Sequence, residues 1–373
     1  MQNATRILSN LIGGLLFIPL GLLSIIWALN VLWAYPLALF LTGCLGRTPV
    51  SMQGKNVFIS GGSSGIGLAV ARLVAQRGAR AIIIAARNVE RLNTARDAIL
   101  ASSPSATVVT IAVDLTASAE AVQAALSIEP LMGDVDYAVL SAGDSQPAAF
   151  EDTPPSEWER LLRLNVLGCV WPCRVVLPGM RVRRSGRIVF ISSLAGRVGV
   201  FGFTAYSASK FALGGFAEAL RMEVKPYNIG VTSVLPPDTD TPLLERENIG
   251  KPSETKRISE GSGLASADAV ARATVTGMCR GDDTVYSGLD GWMLSHLTIG
   301  MNPSDSWQQG CVVLFLWPLL RLVGLAHTYH YDSICREEHA KRQHPGAIRA
   351  EAERGEYPAA AGGGSIVGDE VLM

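Results

Sequence analysis

The sequence has almost no net charge and few charged residues of either sign. Lys and Arg total 32 against 33 Asp and Glu, which leaves a formal net charge of −1, and charged residues make up 17% of the 373 positions. A nucleic-acid-binding protein needs a positive field to attract phosphate groups. The composition therefore predicts no nucleic acid as a partner, and function must be argued from individual sites.

Cysteine is scarce and scattered, and its spacing matches neither a disulfide framework nor a zinc site. Cys169 and Cys173 are one helical turn apart, but no further ligands accompany them, so we expect small buried side chains and no metal. Reduced cysteines fit a domain that faces the cytosol. The six cysteines are Cys44, Cys169, Cys173, Cys279, Cys311 and Cys335.

Charge is missing altogether between Ile7 and Gly46. About 20 apolar residues suffice to cross a bilayer. We therefore predict that residues 1–50 form a transmembrane anchor, either one long span or a tight hairpin, with a buried core helix as the alternative. Arg47 and Lys55 follow this stretch whereas Arg6 alone precedes it, which favours a cytosolic main domain.

From Lys55 onward, short apolar runs alternate with helical stretches. The runs lack polar alternation, as expected for parallel strands that are buried on both faces. The pattern predicts an α/β fold over residues 51–290, a Rossmann-type doubly wound parallel sheet with helices on both faces. The six runs are 56–59, 81–85, 108–113, 137–140, 187–191 and 230–234.

A second apolar zone follows residue 290 and is strongest at 311–320. About ten residues are too few for an ordinary span, so we predict a membrane-associated segment at 291–336 that lies on the surface or re-enters it. Packing in the core is the alternative. The tail at 337–373 is charged and then rich in Ala and Gly, a composition typical of disorder.

A glycine-rich loop follows the first predicted strand and leads directly into a helical pattern. Gly61 permits a tight turn, Gly65 brings the backbone close to a pyrophosphate, and Gly67 lets the helix pack on the strand. The N–H groups at the start of the helix bind the anion. This order of strand, loop and helix predicts a dinucleotide site formed by Gly61, Ser63, Ser64, Gly65, Ile66 and Gly67.

Arg87 directly follows the second predicted strand, where an acidic residue would repel a 2′-phosphate. A guanidinium there, helped by Ser63, favours NADPH as the cofactor, with a solvated surface arginine as the alternative. Asp114 is placed to accept a hydrogen bond from the adenine amino group. The other predicted cofactor contacts end the third and fourth runs, where strand termination is the alternative: Leu115, Ala142 and Gly143.

Ser193 precedes Tyr206 by 13 residues, and Tyr206 precedes Lys210 by four. One helical turn places Tyr206 and Lys210 side by side. A free tyrosine has a pKa near ~10, so we expect Lys210 and the positive nicotinamide of an oxidised cofactor to lower it. Together with the glycine loop, this trio resembles the short-chain dehydrogenase/reductase family over roughly residues 55–241.

The resemblance implies a role for each residue in reducing a carbonyl group with NADPH. Tyr206 would be the general acid, Ser193 would hydrogen-bond the carbonyl oxygen, and Lys210 would bind the nicotinamide ribose and depress the tyrosine pKa. Asn165 would hold the water of a proton relay. All four are predicted as catalytic residues.

The stretch 236–242 departs from the Pro-Gly that family members usually carry after the sixth strand. With the polar residues 245–255, the stretch 331–336 and the apolar ends, it resembles a branch of the family that reduces a long-chain sphingoid ketone in sphingolipid synthesis. That branch implies an endoplasmic reticulum membrane location with the catalytic domain facing the cytosol, and the lipid bilayer as a partner. A homo-oligomer is left open.

The same resemblance implies that Thr239 and Thr241 contact the nicotinamide carboxamide and the phosphate, with a proline-bounded turn as the alternative. It also implies that the stretch from Leu243 to Gly263 is a mobile loop over an acyl chain. Two other functions remain open. One is a membrane-bound reductase of a retinoid, steroid or fatty acyl ketone, and the other is a non-catalytic NADPH-binding scaffold.

Overall fold

The computed structural model describes residues 50–260, 263–298, 323–324, 326, 329–338 and 341. The predicted anchor at 1–50, apart from its last residue, lies outside the described residues. So do 299–322 of the predicted membrane-associated segment and nearly all of the predicted tail. These three predictions are therefore not tested.

Seven parallel strands form the central sheet of the described chain, in the order β3-β2-β1-β4-β5-β6-β9. Strands β1 and β4 are buried along their whole length, which explains apolar runs without polar alternation. A separate pair is formed by β7 (Thr239–Asp240) and β8 (Ala265–Ser266). The sheet strands are β1 (Asn56–Ser60), β2 (Ala81–Ala86), β3 (Thr107–Ala112), β4 (Tyr137–Leu140), β5 (Gly186–Ile191), β6 (Ile229–Leu235) and β9 (Thr284–Tyr286).

Helices cover both faces of this sheet. On one face α1, α2 and α9 pack through side chains such as Val70, Ile99 and Val275. On the other, α3, α5 and α6 pack through Leu126 and Val176 among others. The helices are α1 (Gly65–Gln76), α2 (Val89–Ser102), α3 (Ala119–Ser127), α4 (Pro155–Leu162), α5 (Gly168–Arg183), α6 (Thr204–Val224), α7 (Pro242–Glu247), α8 (Ser253–Glu260), α9 (Ala267–Arg280) and α10 (Gly288–Leu297).

The doubly wound parallel sheet is thus confirmed, and each of the six predicted strands ends within about one residue of its predicted position. The strand order reverses between β1 and β4, which are direct neighbours in the sheet. In open α/β sheets, ligands bind in the crevice at the carboxyl ends of the strands at such a reversal. The glycine-rich loop after β1 lies at this point.

The prediction of a loop from Leu243 to Gly263 is wrong, because two helices occupy most of that stretch. Thr241 begins α7, where its hydroxyl accepts a hydrogen bond from the Leu244 N–H at 3.4 Å and Pro242 takes the first helical position. In α8, Thr255 donates from its hydroxyl to the Phe201 carbonyl oxygen at 2.8 Å. Capping therefore holds the start of α7, and a hydrogen bond to the Phe201 carbonyl oxygen holds α8, while the mobility and the cover over an acyl chain stay predictions.

A helical segment at 329–338 packs against α8. Arg257 in α8 forms ion pairs with Glu338 at 2.8 Å and with Glu337 at 3.1 Å. Ile334 is buried with 2% of its surface exposed. The tail boundary predicted at 337 falls inside this helical segment.

Within the part of the chain that the structure describes, one helix is long and apolar enough to cross a membrane by length and composition. It runs over Pro155–Arg183, and 44% of its most apolar window is buried inside the protein. Its side chains, including Cys173, Val176 and Met180, belong to the hydrophobic core. Core packing accounts for its apolar character.

Candidate active site

The glycine loop brings the start of α1 against the end of β1. Gly61 and Gly65 have φ angles of +69° and +53°, in the left-handed region that favours glycine. A Cβ on Gly67 would lie 2.3 Å from the Gly61 carbonyl oxygen, and a Cβ on Gly61 would lie 2.8 Å from Ala142 Cα. The structure therefore confirms that Gly67 lets the helix pack closely against the end of the strand.

The first turn of α1 suits a diphosphate. Ser64 occupies the N-cap position without a side-chain capping hydrogen bond, and no acidic residue lies in the first turn. The leading N–H groups of a helix have no partner within the helix, and they favour an anion. Since Gly65 and Ile66 line a cavity at this point, the residues present fit a nucleotide cofactor.

Two arginines line the wall of the cavity beyond β2. Arg87 was predicted there, and Arg91 lies one helical turn later in α2. Asn88 starts that helix, because its side chain accepts a hydrogen bond from the Arg91 N–H at 2.7 Å. Sequence analysis missed Arg91, although its spacing from Arg87 and the Asn88 cap were visible signals. Two guanidinium groups strengthen the case for a phosphate at this wall.

Asp114 does not line the cavity, although its neighbour Leu115 does. Its carboxylate accepts hydrogen bonds from the Thr116 N–H at 2.9 Å and the Thr116 hydroxyl at 2.7 Å. Burial raises the Asp114 pKa, but these hydrogen bonds and the charge of Arg87 outweigh it, so the pKa is lowered overall. The predicted adenine contact stays a prediction.

Ser193, Tyr206 and Lys210 meet at the carboxyl end of β5. The Ser193 hydroxyl accepts a hydrogen bond from the Ala195 N–H at 3.1 Å. Tyr206 and Lys210 lie on successive turns at the start of α6, and Lys210 Nζ is 5.6 Å from the centre of the Tyr206 ring. Lys210 is 5% exposed, and its Nζ donates to the Ile191 carbonyl oxygen at 3.0 Å. The predicted side-by-side placement of tyrosine and lysine is present.

The expected lowering of the Tyr206 pKa is not found in the protein chain. Burial raises this pKa well above its ordinary value, and the Ser193 hydrogen bond opposes the rise only in part. The negative charges of Glu247, Asp238 and Asp144 raise it further. Burial also lowers the pKa of Lys210, to about 8, which weakens the cation expected to act on the phenol.

Asn165 lies in a π-helical turn at Arg163–Leu167 between α4 and α5, and it is fully buried. Its side-chain oxygen accepts from the Asp144 N–H at 2.9 Å. Its amide group donates to the Asp144 carbonyl oxygen and to the Ser209 hydroxyl, both at 2.9 Å. The side chain thus ties the segment after β4 to α6, and the relay water remains a prediction.

The glycine loop, the arginine wall and the catalytic trio surround one cavity of about 350 Å³. Among the predicted site residues, Gly67, Asp114 and Asn165 do not line it. The predicted residues that do are Gly61, Ser63, Ser64, Gly65, Ile66, Arg87, Leu115, Ala142, Gly143, Ser193, Tyr206, Lys210, Thr239 and Thr241.

The hydroxyls of Thr239 and Thr241 also form hydrogen bonds within their own turn. Thr239 donates to the Pro237 carbonyl oxygen at 2.8 Å, and Thr241 donates to the Thr239 carbonyl oxygen at 3.1 Å. Both threonines therefore serve the proline-bounded turn as well as lining the cavity. Their contacts with a nicotinamide stay predictions.

Apolar side chains from α7, α8, α10 and the 329–338 segment complete the cavity wall: Leu243, Leu244, Ile258, Leu294 and Tyr331. Three carboxylates also line it, and sequence analysis did not single them out as site residues: Asp144, Asp238 and Glu247. No local motif brings these residues together, because they come from separate segments of the chain.

Comparison with known proteins agrees with this site. The family model described as short chain dehydrogenase matches residues 55–251. The chain therefore belongs to the short chain dehydrogenase family. The glycine loop at Gly61–Gly67 and the start of α1, together called the glycine cradle, bind a nicotinamide cofactor.

Similar proteins fall into the same class. The 3-ketodihydrosphingosine reductase of Bos taurus is 42% identical over 81% of this chain and 92% of its own length. The 3-dehydrosphinganine reductase of Danio rerio is 42% identical over 77% of this chain and 87% of its own. A solved short-chain dehydrogenase from Sphingobium yanoikuyae, in complex with NADPH, is 27% identical with a TM-score of 0.55, covering 62% of this chain and 87% of that one.

Proposed function

We propose that this chain reduces the keto group of 3-ketodihydrosphingosine to the alcohol of dihydrosphingosine, with NADPH as the reductant. The observation that carries the proposal is the placement of Ser193, Tyr206 and Lys210 in the same cavity as the glycine cradle. The names of relatives that are 42% identical support the substrate. The paired Arg87 and Arg91 support NADPH over NADH.

The residues of the chain divide the chemistry between them. A bound nicotinamide supplies a hydride to the carbonyl carbon. Ser193 donates a hydrogen bond to the carbonyl oxygen, and Tyr206 gives its proton to that oxygen as negative charge develops. The raised pKa keeps the Tyr206 phenol protonated at neutral pH, which is the form that reduction needs. Lys210 then stabilises the phenolate that remains.

The apolar wall suits the long alkyl chain of the substrate. Leu243, Leu244, Ile258 and Leu294 line the cavity and come from helices that follow β6 in the chain. Each buried methylene gains about 0.8 kcal/mol. An alkyl chain held against these side chains adds binding energy without touching the reacting groups.

Membrane attachment is part of the proposal, because such a lipid is scarcely available in water. The uncharged stretch 7–46 and the basic residues Arg47 and Lys55 after it support an anchor with a cytosolic catalytic domain at the endoplasmic reticulum. Carbonate extraction should leave the chain in the membrane fraction, and protease added to sealed vesicles should digest the catalytic domain. Release by carbonate would contradict the anchor.

The function is tested with membranes from cells that express the chain. NADPH and 3-ketodihydrosphingosine should give dihydrosphingosine, detected by mass spectrometry. Tyr206→Phe should lower turnover by about 100-fold or more, because the general acid is lost, while NADPH still binds. Tyr227→Phe is the matched control, since Tyr227 does not line the cavity.

Two results would contradict the proposal. Turnover of retinal or of a steroid ketone, without turnover of the sphingoid ketone, would show that this is a reductase of another lipophilic substrate. Tight NADPH binding without turnover of any of these ketones would indicate a non-catalytic scaffold.

A further inference from the structure

Asp238 is a carboxylate in the catalytic cavity whose charge is only partly compensated. Among the residues that the structure describes, Lys251 is the charged group within 4 Å of it, with Nζ at 3.5 Å from Oδ2. The Asp238 side chain is 31% exposed. The other two cavity carboxylates are held more closely by the protein.

Glu247 accepts from the Ser145 hydroxyl at 2.6 Å and pairs with Lys251 at 2.9 Å. Asp144 accepts from Arg160 at 2.8 Å, and Arg246 lies 3.7 Å away. Asp144 and Glu247 thus have short hydrogen bonds within the protein, whereas no residue in the described part of the chain gives Asp238 one of comparable length. A group from outside the chain would find an available acceptor at Asp238.

The group formed by Asp238, Glu247 and Lys251 carries more negative than positive charge. Asp238 and Glu247 share this one lysine, whose side chain is 3% exposed and so cannot turn away toward solvent. Within this group of three side chains, one cation against two carboxylates leaves one net negative charge. That charge acts on the reacting group, because both carboxylates raise the pKa of the Tyr206 hydroxyl.

A neutral ketone gains nothing from this charge, and covering a carboxylate without a partner is costly. A ketone with a positive group beside its carbonyl would be attracted to it. 3-Ketodihydrosphingosine has this chemistry, because its 2-amino group is attached to the carbon next to the carbonyl. When the carbonyl oxygen meets Ser193 and Tyr206, the ammonium on the next carbon is held in the cavity that Asp238 and Glu247 also line.

We propose that Asp238, with Glu247 beside it, binds the protonated 2-amino group of the substrate and so selects an α-amino ketone over neutral ketones of equal length. The inference rests on the proposed function and deepens it. It identifies a specificity-determining residue, whereas the proton transfer remains with Tyr206.

The test compares two substrates that differ in the amine alone, 3-ketodihydrosphingosine and 1-hydroxyoctadecan-3-one. A hydrogen bond between charged groups is strong enough to raise kcat/KM by about tenfold or more. The wild type should therefore prefer the amino ketone by at least that factor. Asp238→Asn keeps the shape but removes the charge, and should reduce that preference about tenfold. Asp238→Glu restores the charge and should retain most of it.

Asp240→Asn is the matched control, because Asp240 is exposed, lies two residues away and does not line the cavity. It should keep the wild-type preference. NADPH binding, followed by fluorescence, and a thermal melt report whether each variant is folded. The ratio between the two substrates is measured within one preparation, so it is independent of the amount of active enzyme.

Equal kcat/KM for the two ketones in the wild type would overturn the inference and leave the reductase function standing. An equal loss on both substrates in Asp238→Asn would also overturn it, because it would show a role in folding or cofactor binding. A wild type that reduces neither ketone would overturn the proposed function itself.

Discussion

Lys210 should reduce the stability of the cofactor-free protein, and replacing it by methionine tests that cost. The side chain is 5% exposed and has the Ile191 carbonyl oxygen as a hydrogen-bond acceptor at 3.0 Å. Burial lowers the Lys210 pKa from 10.5 to about 8. A shift of this size corresponds to about 3 kcal/mol that favours the neutral amine over the buried cation.

The sign of the pH dependence follows from this lowered pKa. Below about pH 8 the lysine is charged in both the folded and unfolded states, so the full cost of burying the cation is present. As the pH rises from about 8 to 10.5, the folded state gives up the proton first and the cost declines. The contribution of Lys210 to the free energy of unfolding therefore becomes more favourable with rising pH across this window.

Lys210→Met removes the buried charge and keeps a similar shape. It also leaves the Ile191 carbonyl oxygen without its partner, which costs about 1 kcal/mol, so the net gain is about 2 kcal/mol at pH 7. For a domain of this size the melting temperature should rise by roughly 4–8 °C. Reductase activity should be lost, because the cation beside Tyr206 is gone.

The assay is a thermal melt of the cofactor-free protein in detergent at pH 7 and at pH 9.5. Lys256→Met in α8 is the matched control, because Lys256 is exposed, and it should melt as the wild type does. The reasoning would be refuted by a Lys210→Met variant that melts no higher than this control. It would also be refuted if the stability gain over the wild type were the same at both pH values.

Three further perturbations test the cofactor cradle and its supports. Gly67→Ala places a Cβ 2.3 Å from a carbonyl oxygen, so it should lower the free energy of unfolding by about 1–3 kcal/mol and weaken NADPH binding. Gly215→Ala is the control, because Gly215 on α6 has open space around it, and it should raise the free energy of unfolding by about 0.5–1 kcal/mol. Equal melting temperatures of the two variants would contradict the steric argument. Arg87→Ala should weaken NADPH far more than NADH in a fluorescence titration, and an equal loss of both would refute its phosphate role. Asn165→Leu should lower the free energy of unfolding by about 1–3 kcal/mol in urea melts, because it leaves the Asp144 backbone unpaired; wild-type stability would show that these bonds contribute nothing.

The sheet was predictable because most of its strands are marked by a short, continuous run of apolar residues. Runs such as 137–140 are apolar throughout because a parallel strand is buried on both faces. The short strand β9 was missed, since its three residues, Thr284–Tyr286, carry no recognisable period. The stretch from Leu243 onward was expected to be a loop from the family resemblance, and it is largely helical because Thr241 and Pro242 provide a helix start that was not recognised.

The sequence alone determined the features that are encoded within one short segment. The glycine loop at Gly61 and the spacing of Tyr206 and Lys210 identified a dinucleotide site and a proton donor, because strand, turn and helix geometry set the relative positions of nearby residues. The uncharged stretch at 7–46 predicts an anchor from composition alone, and this stays a prediction. Each of these inferences needed no knowledge of distant contacts.

The tertiary structure decided which distant residues meet and how deeply they are buried. Ser145 and Glu247 are 102 residues apart yet share a hydrogen bond of 2.6 Å, and Asp238 joins them through Lys251. Burial, which no local pattern measures, moves the pKa of Tyr206 upward and that of Lys210 down to about 8. Electrostatic effects depend on distance and on the dielectric surroundings. The role proposed for Asp238 in substrate selection therefore depends on the tertiary structure and has no signal in the local sequence.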